Sequence, residues 1–152
     1  TAEAAARYEE ALSLAREIGD NTIVAVTLLN LAMVAVIGNA PGKAAEALLE
    51  SLAIADRTGD RLAGQSALDV CTSEAALCGE YAQAARFHGM AHSQLQQSGM
   101  QRDPADSAFL APWIDLAKRE LDQASFDAAA AAGARRQDTE AVAEARRWLE
   151  RD

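Results

Sequence analysis

His88 and His92 are the only histidines of the chain and stand four residues apart. On an α-helix this spacing places two imidazoles on one face, where they could ligate one metal ion. Two ligands are too few for such a site, and the string HGMAH lacks the glutamate of an HExxH motif. We therefore expect no metal site, and we expect both rings to face a neighbouring helix.

The two cysteines, Cys71 and Cys78, are seven residues apart. On one helix their Cα atoms would lie about 10 Å apart, which is beyond the reach of a disulfide. A reactive thiolate also needs a basic or imidazole neighbour, and the surrounding sequence offers none. The pattern predicts that Cys71 is a small buried apolar residue.

Carboxylates are numerous but form no recognisable catalytic pattern. Asp69 and Glu74 are the pair with the strongest claim to acid/base chemistry, yet their spacing points them in different directions on a helix. The chain has no glycine-rich phosphate loop, no GxSxG and no CxxC. We predict a protein that is not an enzyme and binds no cofactor.

The elements that would position these residues are marked by glycines at a period of 40, Gly19, Gly59 and Gly99. Each follows an alanine-rich amphipathic stretch, as expected of a residue that ends a helix. The first two endings, EIGD and RTGD, also supply an aspartate that can cap the next helix. Apolar periodicity predicts helices at about 2–18, 21–37, 42–58, 61–78, 81–98, 107–121, 123–133 and 138–150.

A period of this length is typical of stacked helical hairpins. We predict an all-α fold of about eight helices, an antiparallel helix-hairpin solenoid. Residues 1–152 would form one domain, a piece of a longer protein. Its units would be 1–20 (the second helix of a truncated repeat), 21–60, 61–100, a degenerate 101–134 and a C-terminal capping helix at 135–152.

The segment Gly99 to Ser107 is the longest polar interruption, and Pro112 follows it closely. A proline inside a helix loses a hydrogen bond and clashes with the preceding turn. We therefore expect the sixth helix either to begin near Ala111 or to be kinked. The interruption itself is interpreted as a surface excursion, with a hinge or partner loop as the alternative.

The composition limits the classes of partner that the chain is expected to bind. Half of the 152 residues are apolar, and the net charge is −9. An acidic chain repels phosphate backbones and anionic lipid, and no apolar run approaches the length of a membrane span or follows a basic signal region. We predict a cytoplasmic protein that binds neither nucleic acid nor membrane.

Several positions resemble those of tetratricopeptide repeats (TPR): the turn Gly79-Glu80-Tyr81, and the residues that seat the helices, Leu31, Ala32, Cys71, Thr72, Ala44 and Ala84. The departures are a longer turn at 38–42, a period of 40 instead of 34, and a third unit in which the pattern fades. The resemblance implies a right-handed superhelix that binds other proteins without catalysing a reaction.

Units of about 40 with a GD ending resemble repeats in the C-terminal region of bacterial signalling ATPases and LuxR-type transcriptional regulators. The tail is similar to the closing segment of those proteins at Lys118, Arg119, Leu121, Phe126, Gly133, Ala141, Ala145 and Leu149, with Asp122 where a glycine is usual. This resemblance implies a region for signal transduction, with the nucleotide or DNA sites elsewhere.

In such arrays the first helices of successive hairpins line a concave groove that binds a peptide or a helix. Register carries this role onto Val26, Leu29, Asn30, Met33 and Ile37 in one unit and Ser66, Asp69, Val70, Ser73 and Leu77 in the next. Two alternatives remain open. One is homodimerisation through an exposed N-terminal edge and alanine-rich faces, and the other is a small-molecule sensor pocket within the superhelix.

Overall fold

The computed structural model describes residues 1–151, and within them every regular element is an α-helix. The eight helices are α1 (Ala2–Ile18), α2 (Asn21–Ile37), α3 (Pro41–Thr58), α4 (Arg61–Leu77), α5 (Tyr81–Ser98), α6 (Pro104–Glu120), α7 (Gln123–Ala134) and α8 (Asp138–Leu149). The predicted all-α class and the number of helices are confirmed.

The repeated glycines end α1, α3 and α5. Gly19, Gly59 and Gly99 have φ of 77°, 70° and 69°, the left-handed region that glycine occupies without steric cost. Asp20 and Asp60 then cap α2 and α4 by accepting hydrogen bonds from the backbone amides of Ile23 and Ala63, at 3.1 and 3.0 Å. The sequence EIGD or RTGD therefore ends one helix and starts the next.

The period of 40 is kept without insertion. α2 and α4 begin at residues 21 and 61, and α3 and α5 begin at residues 41 and 81. The turn at 38–40 has the same length as the turn at 78–80, so the expected longer turn is wrong. Asn39, with φ of 56°, takes the left-handed position that Gly79 occupies one repeat later.

Helices adjacent in sequence pack on one another from α1 through α5. The first helices of the hairpins, α2, α4 and α6, contact each other in that order and form one layer. On the opposite side α7 packs against α5. α2, α4 and α6 thus form one layer, against which α1, α3 and α5 pack.

The contact between α5 and α7 is a close backbone approach. A Cβ atom at Gly89 would overlap the carbonyl group of Ala130, and one at Gly133 would overlap the carbonyl group of Arg86. Each glycine therefore lies directly on the backbone of the other helix, which only a residue without a side chain permits.

The last helix does not follow α7 outward. α8 returns to contact α3, α4 and α5, and its apolar residues Ala141, Val142, Ala145, Trp148 and Leu149 are buried there. The segment predicted as a capping helix at 135–152 thus contains a helix that lies across the middle of the array.

α6 differs from the expected start near Ala111. The helix begins at Pro104, where proline needs no hydrogen-bond donor, and Asp103 caps it by accepting from the backbone amide of Ala105 at 2.8 Å. It continues through Pro112 to Glu120, so a start near Ala111, like the predicted start at 107, is wrong. A strong N-terminal cap outweighs one missing internal hydrogen bond.

Candidate functional site

The layer of α2, α4 and α6 encloses a groove together with the loop between α5 and α6. Its cavity has a volume of about 310 Å³. We call it the α2/α4/α6 groove. It is lined by Thr22, Val26, Leu29, Asn30, Met33, Asp60, Leu62, Ala63, Gln65, Ser66, Asp69, Val70, Met100, Gln101, Arg102, Asp103, Asp106 and Phe109.

Seven of the ten residues predicted for a partner-binding groove lie in this lining: Val26, Leu29, Asn30, Met33, Ser66, Asp69 and Val70. The other three lie elsewhere. Ile37 is exposed at the end of α2, Ser73 is fully buried, and Leu77 packs against the main core. The groove therefore occupies the first three turns of α2 and α4 rather than their whole length.

Apolar side chains form the open rim of the groove. Val26, Leu62 and Met100 are 51, 50 and 47% exposed, although large apolar residues are usually buried. Leu29 and Val70 lie below them and are buried, and the partly buried Phe109 closes the side formed by α6. Three exposed apolar side chains around one cavity are a feature of surfaces that bind partners.

The polar centre of the groove is an ion pair between α4 and the α5–α6 loop. Arg102 donates two hydrogen bonds to the carboxylate of Asp69, at 2.8 and 3.0 Å. Gln65 donates a third at 2.7 Å. Burial raises the pKa of Asp69, because it disfavours the charged form, while the bonds from Arg102 and Gln65 act against that rise.

This geometry gives Asp69 a different role from the one predicted. Asp69 is only 6% exposed, and its carboxylate oxygens already accept hydrogen bonds from Arg102 and Gln65. It therefore holds the α5–α6 loop over α4, instead of standing free as a polar contact for a partner. The guanidinium of Arg102 is bidentate, a geometry that fixes orientation as well as distance.

The groove is acidic beyond that pair. Asp60, Asp103 and Asp106 also line it, and Arg102 is its one basic residue. Burial and the neighbouring Asp103 raise the pKa of Asp106, while Arg102 acts in the opposite direction. A partner that carries lysine or arginine beside its apolar residues would relieve this concentration of negative charge.

Asn30 and Ser66 add unpaired polar groups. Both are partly exposed in the lining, and no side-chain hydrogen bond to another residue of the described chain is made by either. Their amide and hydroxyl groups are available to a ligand's backbone or side chains.

The histidines do not form a metal centre. Their ring centroids are 6.1 Å apart, and no group of three His, Cys, Asp or Glu residues within 1–151 could hold a metal ion. His88 packs towards Phe126 of α7 as expected, with ring centroids 6.2 Å apart, whereas His92 is exposed and the expectation for it is wrong. Burial lowers the pKa of His88 to about 4.

Cys71 is fully buried and Cys78 is exposed, and both are free thiols. Burial raises the pKa of Cys71 well above its ordinary value, and the nearby carboxylates of Glu74 and Asp69 raise it further. This environment opposes thiolate formation. It fits the predicted small buried apolar residue and gives no nucleophile.

Asp69 and Glu74 belong to different environments. Glu74 is only 3% exposed, its Oε2 has no hydrogen-bond partner, and Arg151 after α8 is the charged group that opposes its desolvation. Burial raises the pKa of Glu74 to about 7. Asp69 bonds instead to the α5–α6 loop, so the two carboxylates do not form an acid/base pair across one site.

The lining residues that the prediction missed come from two places. Some lie at or near the starts of α2 and α4, namely Thr22, Asp60, Leu62, Ala63 and Gln65, and the others belong to α6 and the loop before it. Met100, Arg102, Asp106 and Phe109 lie beyond the regular repeats, where register no longer indicates which face they occupy. One signal was present: Arg102 is an isolated basic residue in an otherwise acidic polar segment that was interpreted as a surface excursion. Its partner is Asp69.

Within residues 1–151 no helix combines the length and the apolar character needed to cross a bilayer. Comparison of the chain with protein-family models, with curated proteins and with solved structures found no match. The α2/α4/α6 groove is therefore interpreted from its own geometry.

Proposed function

We propose that the chain binds a peptide or an amphipathic helix of another protein in the α2/α4/α6 groove, and that it catalyses no reaction. The observation that carries this proposal is the rim of Val26, Leu62 and Met100 around an acidic, largely apolar cavity. Apolar anchors of a partner would fill the cavity, and basic residues beside them would face Asp60, Asp103 and Asp106.

The proposed architecture is a TPR-like right-handed solenoid. Its support is the repeat of 40 residues kept from α2–α3 to α4–α5 and the single layer formed by α2, α4 and α6. The proposed setting is the interaction region of a cytoplasmic bacterial regulatory protein. That setting rests on the resemblance of the GD endings and of the tail segment.

Selection from a displayed library of random 16-residue peptides tests the binding directly. We expect enriched peptides to combine apolar residues at helical spacing with lysine or arginine. Fluorescence anisotropy of one enriched peptide should show at least about tenfold weaker binding to the Val26→Glu and Met100→Glu variants, a loss of about 1.4 kcal/mol. Binding should also weaken as salt rises.

Leu14→Glu is the matched control, since Leu14 is an apolar residue of α1 that is 54% exposed and lies outside the groove. It should leave the peptide affinity unchanged. Equal losses in the Leu14, Val26 and Met100 variants, or a failure to enrich any peptide, would remove the proposal.

The small-molecule alternative is favoured by the size of the cavity and by the Asp69–Arg102 pair within it. A volume of about 310 Å³ matches the lower end of ligand pockets. A thermal-shift screen of small cationic and apolar compounds would identify such a ligand, and Val26→Glu should abolish the shift.

Self-association is favoured by a different observation. Leu14 and Ile18 of α1 and Ile23 of α2 are all exposed apolar residues near one end of the array. Sedimentation velocity should show a dimer that Leu14→Glu dissociates if these residues form an interface. A monomer at high concentration would exclude this alternative.

A further inference from the structure

α8 packs on a surface formed by α3, α4 and α5, and its contacts show what kind of helix binds there. It lies against α3, α4 and α5, with Val142 facing Gly64 of α4 and Trp148 in edge-to-face contact with Phe87 of α5 at 5.2 Å between ring centroids. One surface of the array is therefore a seat for a short amphipathic helix.

Charged contacts fix α8 on both sides of this seat. Arg86 of α5 donates two hydrogen bonds to Glu144, at 2.6 and 2.8 Å. Arg146 pairs with Asp56 of α3 at 3.4 Å. Glu80, before α5, accepts a hydrogen bond from the indole of Trp148 at 2.8 Å.

The helices one repeat earlier border an open groove in a corresponding place, although Val24 stands there where α4 has Gly64. A groove of about 520 Å³ runs along α1, α2 and α3, and we call it the α1/α3 groove. Its lining includes Arg16, Ala40, Glu46 and Ala47. Forty residues later these positions are Asp56, Glu80, Arg86 and Phe87, the residues that α8 contacts.

Burial shows the effect of having no helix there. In α4, Cys71, Glu74 and Ala75 are buried. Their counterparts in α2, Leu31, Val34 and Ala35, are only partly buried and line the α1/α3 groove. The strip on α2 is therefore apolar and accessible, whereas the corresponding strip on α4, the helix that α8 contacts, is buried.

Two charges of the α1/α3 groove are reversed relative to the surface that α8 covers, while Glu9, Lys43 and Glu50 of its lining have no charged counterpart there. Glu46 replaces Arg86 and Arg16 replaces Asp56. Arg16 is paired with Glu50 at 2.6 Å, whereas Glu46 takes part in none of the ion pairs of residues 1–151. The α8 of a second copy, in the same orientation, would bring Glu144 to the unpaired Glu46, and like charges in contact oppose binding.

We propose that the α1/α3 groove binds an amphipathic helix of another protein, seated as α8 is seated one repeat later. The helix places apolar side chains on Leu31, Val34 and Ala35 and a lysine or arginine opposite Glu46. This surface is separate from the α2/α4/α6 groove, so the chain has two binding faces.

Two synthetic peptides of residues 137–150, acetylated and amidated, provide the probes. One has the native sequence, and the other carries Glu144→Lys. We expect the Glu144→Lys peptide to bind the wild-type chain about threefold more tightly in fluorescence anisotropy, the effect of one exposed charge pair. The chain variant Glu46→Arg should invert this order, because it restores the charge found at Arg86.

Glu10→Arg is the matched control, since it makes the same charge change on an exposed residue of α1 outside the groove. It should alter both affinities alike and keep their order. Val26→Glu, in the α2/α4/α6 groove, should leave both peptides bound, which separates this inference from the proposed function.

The proposal is overturned if neither peptide binds. It is also overturned if Glu46→Arg does not invert the order of the two affinities. Loss of binding in Val26→Glu would place the peptide in the α2/α4/α6 groove instead. A dimer in sedimentation velocity that Glu46→Arg dissociates would assign the α1/α3 groove to a second copy of the chain and so overturn the assignment to another protein.

Discussion

At the scale of single residues, side chains that could have carried chemistry are instead buried between the helices. His88 and Glu74 occupy positions that hold Leu48 and Val34 one repeat earlier, and both are buried enough to favour their neutral forms. The repeat register indicates such a role for His88. It does not reveal Glu74's environment, because that depends on α8 returning from far along the chain.

Glu74→Gln should change how stability depends on pH. The pKa of Glu74 is about 7 in the folded chain and 4.5 ordinarily, so its contribution to stability is complete below pH 4.5 and is lost as pH rises to 7. The variant lacks this loss. Urea denaturation should therefore show its stability relative to wild type rising between these pH values, by at most about 3 kcal/mol. A constant difference would contradict the burial of an ionisable Glu74.

His88→Leu should show the opposite trend. The pKa of His88 falls from 6.5 to about 4 on folding, so its contribution is present above pH 6.5 and is lost as pH falls to 4. As pH falls across that window, the leucine variant should gain stability relative to wild type, because it has no imidazole to protonate. If the two proteins lose stability in parallel on acidification, His88 is not buried in the neutral form.

The two windows overlap with opposite signs, so their effects partly cancel in wild type between pH 4.5 and 6.5. The single variants are needed to separate them. In Glu74→Gln the remaining histidine should make stability rise with pH, and in His88→Leu the remaining carboxyl should make it fall.

At the scale of helices, local signals were sufficient wherever caps and periodicity agree. Gly19, Gly59 and Asp60 end and start helices by their own backbone chemistry, so the bounds of α1 to α5 were predictable. The start of α6 was missed because the cap at Asp103 stands before a proline within a polar segment. The docking of α8 was missed because Arg86 and Glu144, which fix it, are far apart in sequence.

The glycines of the α5–α7 contact provide a prediction at this scale. Gly89→Ala and Gly133→Ala should each destabilise the chain by about 3 kcal/mol, since the added Cβ would overlap Ala130 or Arg86 backbone atoms. Chemical denaturation monitored by circular dichroism measures the loss.

Gly64→Ala is the control for that experiment. Gly64 is also a buried helix glycine, but its Cβ would lie 3.7 Å from Val142 Cγ2 and 3.9 Å from Ala55 Cβ, at ordinary contact distances. The variant should gain about 0.5 to 1 kcal/mol from the better helix propensity of alanine. Equal effects of all three substitutions would mean that α5 and α7 are not in backbone contact.

At the scale of the whole molecule, two grooves are lined by different faces of α2, and α8 already covers part of the surface of α3, α4 and α5. Register identified seven of the residues that α2 and α4 contribute to the α2/α4/α6 groove, but it missed Leu62 and Gln65 at the start of α4. It could not identify Met100, Arg102 or Phe109, because the period ends at Gly99 and a new contact, Arg102 to Asp69, decides where the chain goes. The proposed interaction function depends on the groove that this contact completes.

The methionine methyl groups provide the most direct test of this function. Of the three methionines, Met33 and Met100 line the α2/α4/α6 groove, and Met90 is buried in the core. In ¹³C-methyl NMR of the chain titrated with a selected peptide, Met33 and Met100 should shift together and saturate at one peptide concentration, while Met90 stays unchanged. Saturation of the peptide's anisotropy with Met33 and Met100 unmoved would contradict binding in this groove.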